Sequence, residues 1–241
     1  MTDDLKARLM SSLSRDLLLD LYDMAGAKAL KAFEMIRDNA GLDEKRAREL
    51  VGQARFRMLE KGFVDVCQLH GGQLLPDGVI PGKGVRAFQP FMRFGGEEPG
   101  VVLGLASMPV AKDLPTKNQS RAAGVLLNEF LTPRLDLGDV TAKPGDVFVL
   151  FLVARDRGRP GMIEEVAVGV IDAEYKAYLL YEPVDGFLAG YGPAPTPEPA
   201  PEDPGAGGAP LVRLRSGRKA FKPPEALGDE PKEEGSGGSG A

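Results

Sequence analysis

The residue types best suited to chemistry lie in IDAEYKAY, where Glu174 and Lys176 flank Tyr175. Asp146, after Pro144-Gly145, opens the apolar run DVFVLFLVAR, and Glu129 belongs to the helix-like NQSRAAGVLLNEFL before it. Carboxylates and a lysine gathered in this way carry the chain's best claim to catalysis. The same residues, with Asp172, also read as the solvated polar face of an edge strand.

A second set of side chains is built for recognition. RARELVGQARFRMLEKGFV places Arg46, Arg48, Gln53, Arg55 and Arg57 on one stretch, and Arg and Gln forks suit guanine and adenine edges. At about 100° per residue, Ala47, Leu50, Val51, Ala54 and Met58 share the face expected to meet the core. Gly52, Phe56 and Leu59 lie opposite. A helical glycine costs about 1 kcal/mol relative to alanine, so Gly52 implies close approach by a neighbour, and Phe56 and Leu59 are expected to be covered by the second region or another subunit. A helix clamped on both faces, its arginine stems along the edges, therefore competes with a groove-reading helix. Lys117, Asn118, Gln119, Ser120 and Arg121 precede a helix and suit an anion, or simply a helix with Ser120 as N-cap. Cys67 and His70, three apart in an expected hairpin, read as packing or surface residues.

Two orders of elements resemble known families. A helix Glu, a strand-opening Asp and then Glu-X-Lys resembles the restriction-endonuclease-like nucleases. That resemblance implies Asp146 and Glu174 as Mg²⁺ ligands, Lys176 as the lysine that polarises the phosphate or orients water, and Glu129 as a helper. Three helices running through ARFRMLEKGFVDV into a Gly-turned segment resemble the winged helix-turn-helix family over about the first third of the chain. This implies DNA contacts by Arg46, Arg48, Gln53, Arg55 and Arg57 in the major groove, with the hairpin on the backbone. Apart from Mg²⁺ in the nuclease reading, no cofactor and no metal site are expected.

Three regions must position these residues. Residues 1–84 read as a helical, winged-helix-like domain. Leu13, Leu17, Leu18 and Leu21 form an apolar stripe capped by Ser14 or Asp16. Gly26 is expected to interrupt this helix, a second to cover 28–39, and a third to run from an Asp43 cap to Lys61-Gly62. FVDVCQLHGGQLLPDGVI then reads as a hairpin turning at Gly71-Gly72. Residues 85–192 read as an α+β domain with a mostly antiparallel sheet, drawn from FQPFMRF, GVVLGLASM, DVFVLFLVAR, EEVAVGVID and YKAYLLYE. DVFVLFLVAR is apolar on both faces and is therefore expected to be central and covered on both sides. Residues 193–241 are a Pro/Gly-rich tail expected to be disordered, carrying a basic-apolar motif over 210–227. Leu211, Arg213, Leu214, Arg215, Arg218, Lys219 and Phe221 in that motif are candidates to dock a partner, beside Phe56 and Leu59 in the folded part.

Composition narrows the classes. A net charge of −5 over 241 residues argues against a wholly electrostatic nucleic-acid binder. One cysteine forms no internal disulfide, which favours a reducing, cytoplasmic location. One histidine builds no His-rich metal site. The expectation is a non-enzymatic regulatory or scaffolding protein that works through protein–protein contacts and its tethered motif, with DNA contact as an accessory. A metal-dependent nuclease and a winged-helix transcription regulator are the alternatives.

Overall fold

The structure, a computed structural model, describes residues 2–80, 82–96, 99–131 and 145–192. The chain opens with α1 (Thr2–Ser12) and breaks at Ser14, whose extended backbone and side chain cap α2 (Arg15–Asn39) by accepting from Leu17 N at 3.1 Å. Leu9, Leu13, Leu17, Leu18 and Leu21 are fully buried around this joint. The helix continues through Gly26 without interruption. Ala25, Ala29 and Ala32 line its buried side, and that packing holds the ladder across a residue that weakens isolated helices.

Helix α3 (Glu44–Leu69) starts as expected, with Asp43 accepting from Arg46 N at 3.0 Å. It does not stop at Gly62. A Cβ there would lie 2.5 Å from the Met24 sulfur, so this glycine lets α2 and α3 approach rather than ending the helix. Nor do residues 63–80 form a hairpin. Gly71 takes a left-handed φ of 81° and donates to Gln68 O, while Gly72 donates to Cys67 O. These crossed bonds form a Schellman stop, so Gly71-Gly72 closes a helix rather than turning a strand. The segment resembling a wing is helical up to Leu69.

The helices are followed by a mostly antiparallel six-stranded sheet, giving the expected α+β class. In sheet order the strands are β1 (Gln73–Leu74), β2 (Phe91–Phe94), β3 (Val101–Met108), β4 (Val147–Arg155), β5 (Ile163–Ile171) and β6 (Tyr178–Pro183). β3 and β4 alone among these neighbours run parallel. The connection between them carries α4 (Gln119–Val125) and a 3₁₀ helix, Leu126–Leu131. After β6 comes α5 (Val184–Ala189).

Strand alternation divides the core. Leu103, Leu105, Val149, Phe151 and Val153 join Leu59, Phe63 and the leucines of α1 and α2 on one side. Val102, Ala106, Phe148, Leu150 and Leu152 join Ala123 and Val125 of α4 on the other. β4 is thus central and covered on both faces, as its unbroken apolar run requires. Residues 1–84 and 85–192 share the helix-side core, and Met1–Pro195 form one compact unit. Among the described residues no helix is long and apolar enough to cross a membrane.

Candidate functional site

The parallel pair ends in a cleft. In open sheets the carboxyl ends of neighbouring parallel strands are where ligands sit, because the following loops diverge there. Here Ser107 and Met108 end β3, Val153 and Arg155 end β4, and Ser107 lies opposite Val153 in the register. A register shift between Ala154 and Arg155 breaks the β4–β5 ladder at this point; such irregularities re-aim side chains. With Pro109, Arg157, Ile163 and Arg55 from α3, these residues line a cleft of about 210 Å³.

Its electrostatics are one-sided. Burial, and then the neighbouring Arg155 charge, hold the Arg55 guanidinium below its ordinary value. Among the described residues no carboxylate forms an ion pair with Arg55, Arg155 or Arg157. The nearest acid in sequence, Asp156, is taken by its own loop. It accepts from Gly158 N and Arg159 N and pairs with Arg159 Nε at 2.6 Å. Glu165 accepts from the Tyr181 hydroxyl instead. A chain of net charge −5 therefore gathers on one cleft three guanidinium groups that no carboxylate among the described residues pairs with.

The surroundings hold the cleft in shape. Arg157 Nη2 donates to Pro109 O at 3.0 Å, tying the β4–β5 loop to the segment after β3. That segment is clasped further along. Lys112 N donates to the Tyr181 hydroxyl, and the Tyr178 and Tyr175 hydroxyls donate to the carbonyls of Asp113 and Pro115. On the other side Gly161, at φ 80°, rests 3.0 Å from Phe33 of α2 as measured from where its Cβ would stand. Only a residue without a side chain meets both demands, so Gly161 fixes where the arginine-bearing loop lies.

The residues expected from sequence are distributed elsewhere. Asp146 is almost fully buried and accepts from Arg93 Nε at 2.8 Å, Arg93 Nη2 at 3.2 Å and Gly100 N at 2.7 Å. Burial works to raise its carboxyl, but the Arg93 and Gly100 hydrogen bonds and the Arg93 and Arg8 charges outweigh it and hold it below the ordinary carboxylate range. Glu174 and Lys176 stand exposed on the β5–β6 turn. That turn is tied by Asp172, which accepts from Lys176 N and Ala177 N, and by Tyr175, which is buried at φ 62°. Glu129 pairs with Lys83 at 2.8 Å. Among the described residues no bond or ion pair joins Asp146 to Glu174 or Lys176, and no cluster of three metal-ligating side chains occurs. As Asp146 stands, both carboxylate oxygens are taken by donors, so this arrangement does not fit Mg²⁺.

On α3 the nucleic-acid set splits. At about 100° per residue, Arg46, Gln53 and Arg57 share one side, and Arg48 and Arg55 the other. Arg46 pairs with Asp43, Arg48 with Glu44 and Arg57 with Glu60, while Arg55 turns to the cleft. The buried stripe is Leu59, Gly62, Phe63 and Cys67. Ala47, Leu50, Val51, Ala54 and Met58, expected to form the core face, are half-buried, as is Phe56. Gly52 meets nothing within 4 Å, which corrects the expectation of a close neighbour. The cap of α4 is Asn118, accepting from Arg121 N at 2.8 Å. Ser120 instead accepts from Phe88 N and Gln89 N, and Arg121 turns inward to Thr116 O. Cys67 is buried, which pushes its thiol up out of the reactive range, and His70 Nε2 lies 2.7 Å from Asp20. The tail residues Leu211, Arg213, Leu214, Arg215, Arg218, Lys219 and Phe221 lie outside the described residues.

Sequence reasoning missed Ser107, Arg155 and Arg157. Their signal was present: two arginines close an otherwise apolar strand and enter a Gly/Pro loop. Its meaning depends on β3 and β4 running parallel, which no local pattern announces. Compared with known proteins, the chain matches no family model, no curated protein and no solved structure.

Proposed function

We propose that this chain is a non-enzymatic regulatory or scaffolding protein that recognises an anionic group of its binding partner in the arginine cleft. The observation that carries the reading is the gathering of Arg55, Arg155 and Arg157 on one cleft with no carboxylate among the described residues paired to them. A positive site of this kind is completed by a ligand that brings the negative charge. Recognition rather than catalysis is favoured because Asp146 and Asp172 are held in structural hydrogen bonds and Cys67 is buried. The basic-apolar motif over 210–227 supplies a second, tethered contact, and linking two contacts raises avidity without new chemistry at either.

The test is thermal unfolding of the full chain against small anions at constant ionic strength. Wild type gains stability that grows with the logarithm of anion concentration above the Kd, and Arg55→Met and Arg155→Met lose that gain while remaining folded by circular dichroism. An identical response in wild type and both variants would refute the reading.

A further inference from the structure

We infer that the group taken by the cleft is a phosphate monoester on a short carbon stem. This rests on the anion-recognition reading and goes beyond it by choosing among anions.

Charge is the first argument. Arg55, Arg155 and Arg157 bring three positive groups to the cleft. A carboxylate carries one negative charge and two oxygens, enough to satisfy one guanidinium fork. A phosphate monoester carries nearly two charges and three terminal oxygens near neutral pH, so it bridges two or three forks at once. Hydrogen bonding is the second. Ser107 stands exposed at the end of β3, and its hydroxyl forms no hydrogen bond with another described residue. It therefore remains able to donate to a phosphate oxygen.

Size and wall chemistry supply the stem. The cleft, at about 210 Å³, is smaller than the ~300–1,000 Å³ of sites that enclose drug-sized ligands. A nucleotide is thereby excluded as a fully enclosed ligand. Val153 and Ile163, both of the helix-side core or packed against it, form an apolar wall beside the charged one. That division suits an anionic head with a few carbon atoms behind it: a small organic phosphate, or the phosphorylated serine or threonine side chain of a partner.

Isothermal titration of the full chain with methyl phosphate and methyl sulfate isolates the charge, because the two have the same shape and differ by one negative charge. Methyl phosphate is expected to bind at least 10-fold more tightly, and acetate more weakly than either. Arg155→Gln and Ser107→Ala, checked by circular dichroism, should each reduce that preference. Free phosphoserine and a phosphoserine peptide then distinguish the sources. A peptide at least 10-fold tighter identifies a partner's side chain, and equal affinities identify a free organic phosphate; both outcomes support the inference. Equal binding of methyl phosphate and methyl sulfate, or a preference for acetate, would overturn it while leaving anion recognition in place. Binding of none of these anions would overturn both.

Discussion

Replacing Asp146 by alanine is expected to lower the stability of the fold by about 2–4 kcal/mol. Its carboxylate links three places: the β4 start that carries it, the β2 residue Arg93, and Gly100 at the entry to β3. Because β3 lies between β2 and β4, the Arg93 side chain spans a strand to reach it. Truncation strands the Gly100 N–H, and a buried donor without an acceptor costs about 1–3 kcal/mol. It also removes the forked partner of a guanidinium that is 23% exposed. That loss lies between the roughly 0–1 kcal/mol of an exposed pair and the roughly 3–5 kcal/mol of a fully buried one. Arg93 keeps its bonds to Gly95 O and Gly96 O, which limits the damage. D146N should fall between wild type and D146A, since its oxygen still accepts from Gly100 while its amide faces the guanidinium. Urea unfolding is the assay, with the midpoint falling at unchanged slope. The carboxyl is held below its ordinary value, so its contribution is complete above the unfolded pKa of about 3.9 and is lost as pH falls through the lower folded value. D146N should therefore flatten the acid limb of stability below about pH 4. A loss under about 0.5 kcal/mol with an unchanged acid limb would show that the carboxylate is not a structural tie.

Three further changes test other parts of the account. Gly26→Ala and Gly52→Ala should each raise stability by up to about 1 kcal/mol in urea unfolding, since both lie inside helices and neither new Cβ meets anything within 4 Å. Gly161→Ala should cost about 1–3 kcal/mol through its positive φ and its contact with Phe33, and should weaken the anion response by shifting the loop of Arg157. Arg155→Glu places an opposite charge near Arg55 where a like charge stood. It should raise the urea midpoint and abolish stabilisation by anions.

What the sequence disclosed follows from how local each signal is. DVFVLFLVAR announced a central strand because burial on both faces leaves no polar alternation. Ser14 and Asp43 announced helix starts because a cap acts within three residues. Glycines misled where their role was set by a distant neighbour. Gly62 looked like a stop but accommodates Met24, and Gly71-Gly72 looked like a hairpin turn but closes α3. Ending α3 too early removed Phe63 and Cys67 from the helical projection, and the core face was therefore placed on the wrong side. Arg55 was noticed for a different role, while its partners in the cleft come from strands some 50 and 100 residues on. Only the pairing of β3 with β4 brings them together.

In the proposed anion site, Arg55 and Arg155 bind one anion between them. Side-chain Nε–Hε resonances of arginine, followed by NMR while phosphate is titrated at constant ionic strength, test it most directly. The Arg55 and Arg155 signals should move together along one saturating curve while Arg46 and Arg48 stay still. Uniform drift of all four, or stillness at Arg55 and Arg155, would contradict it.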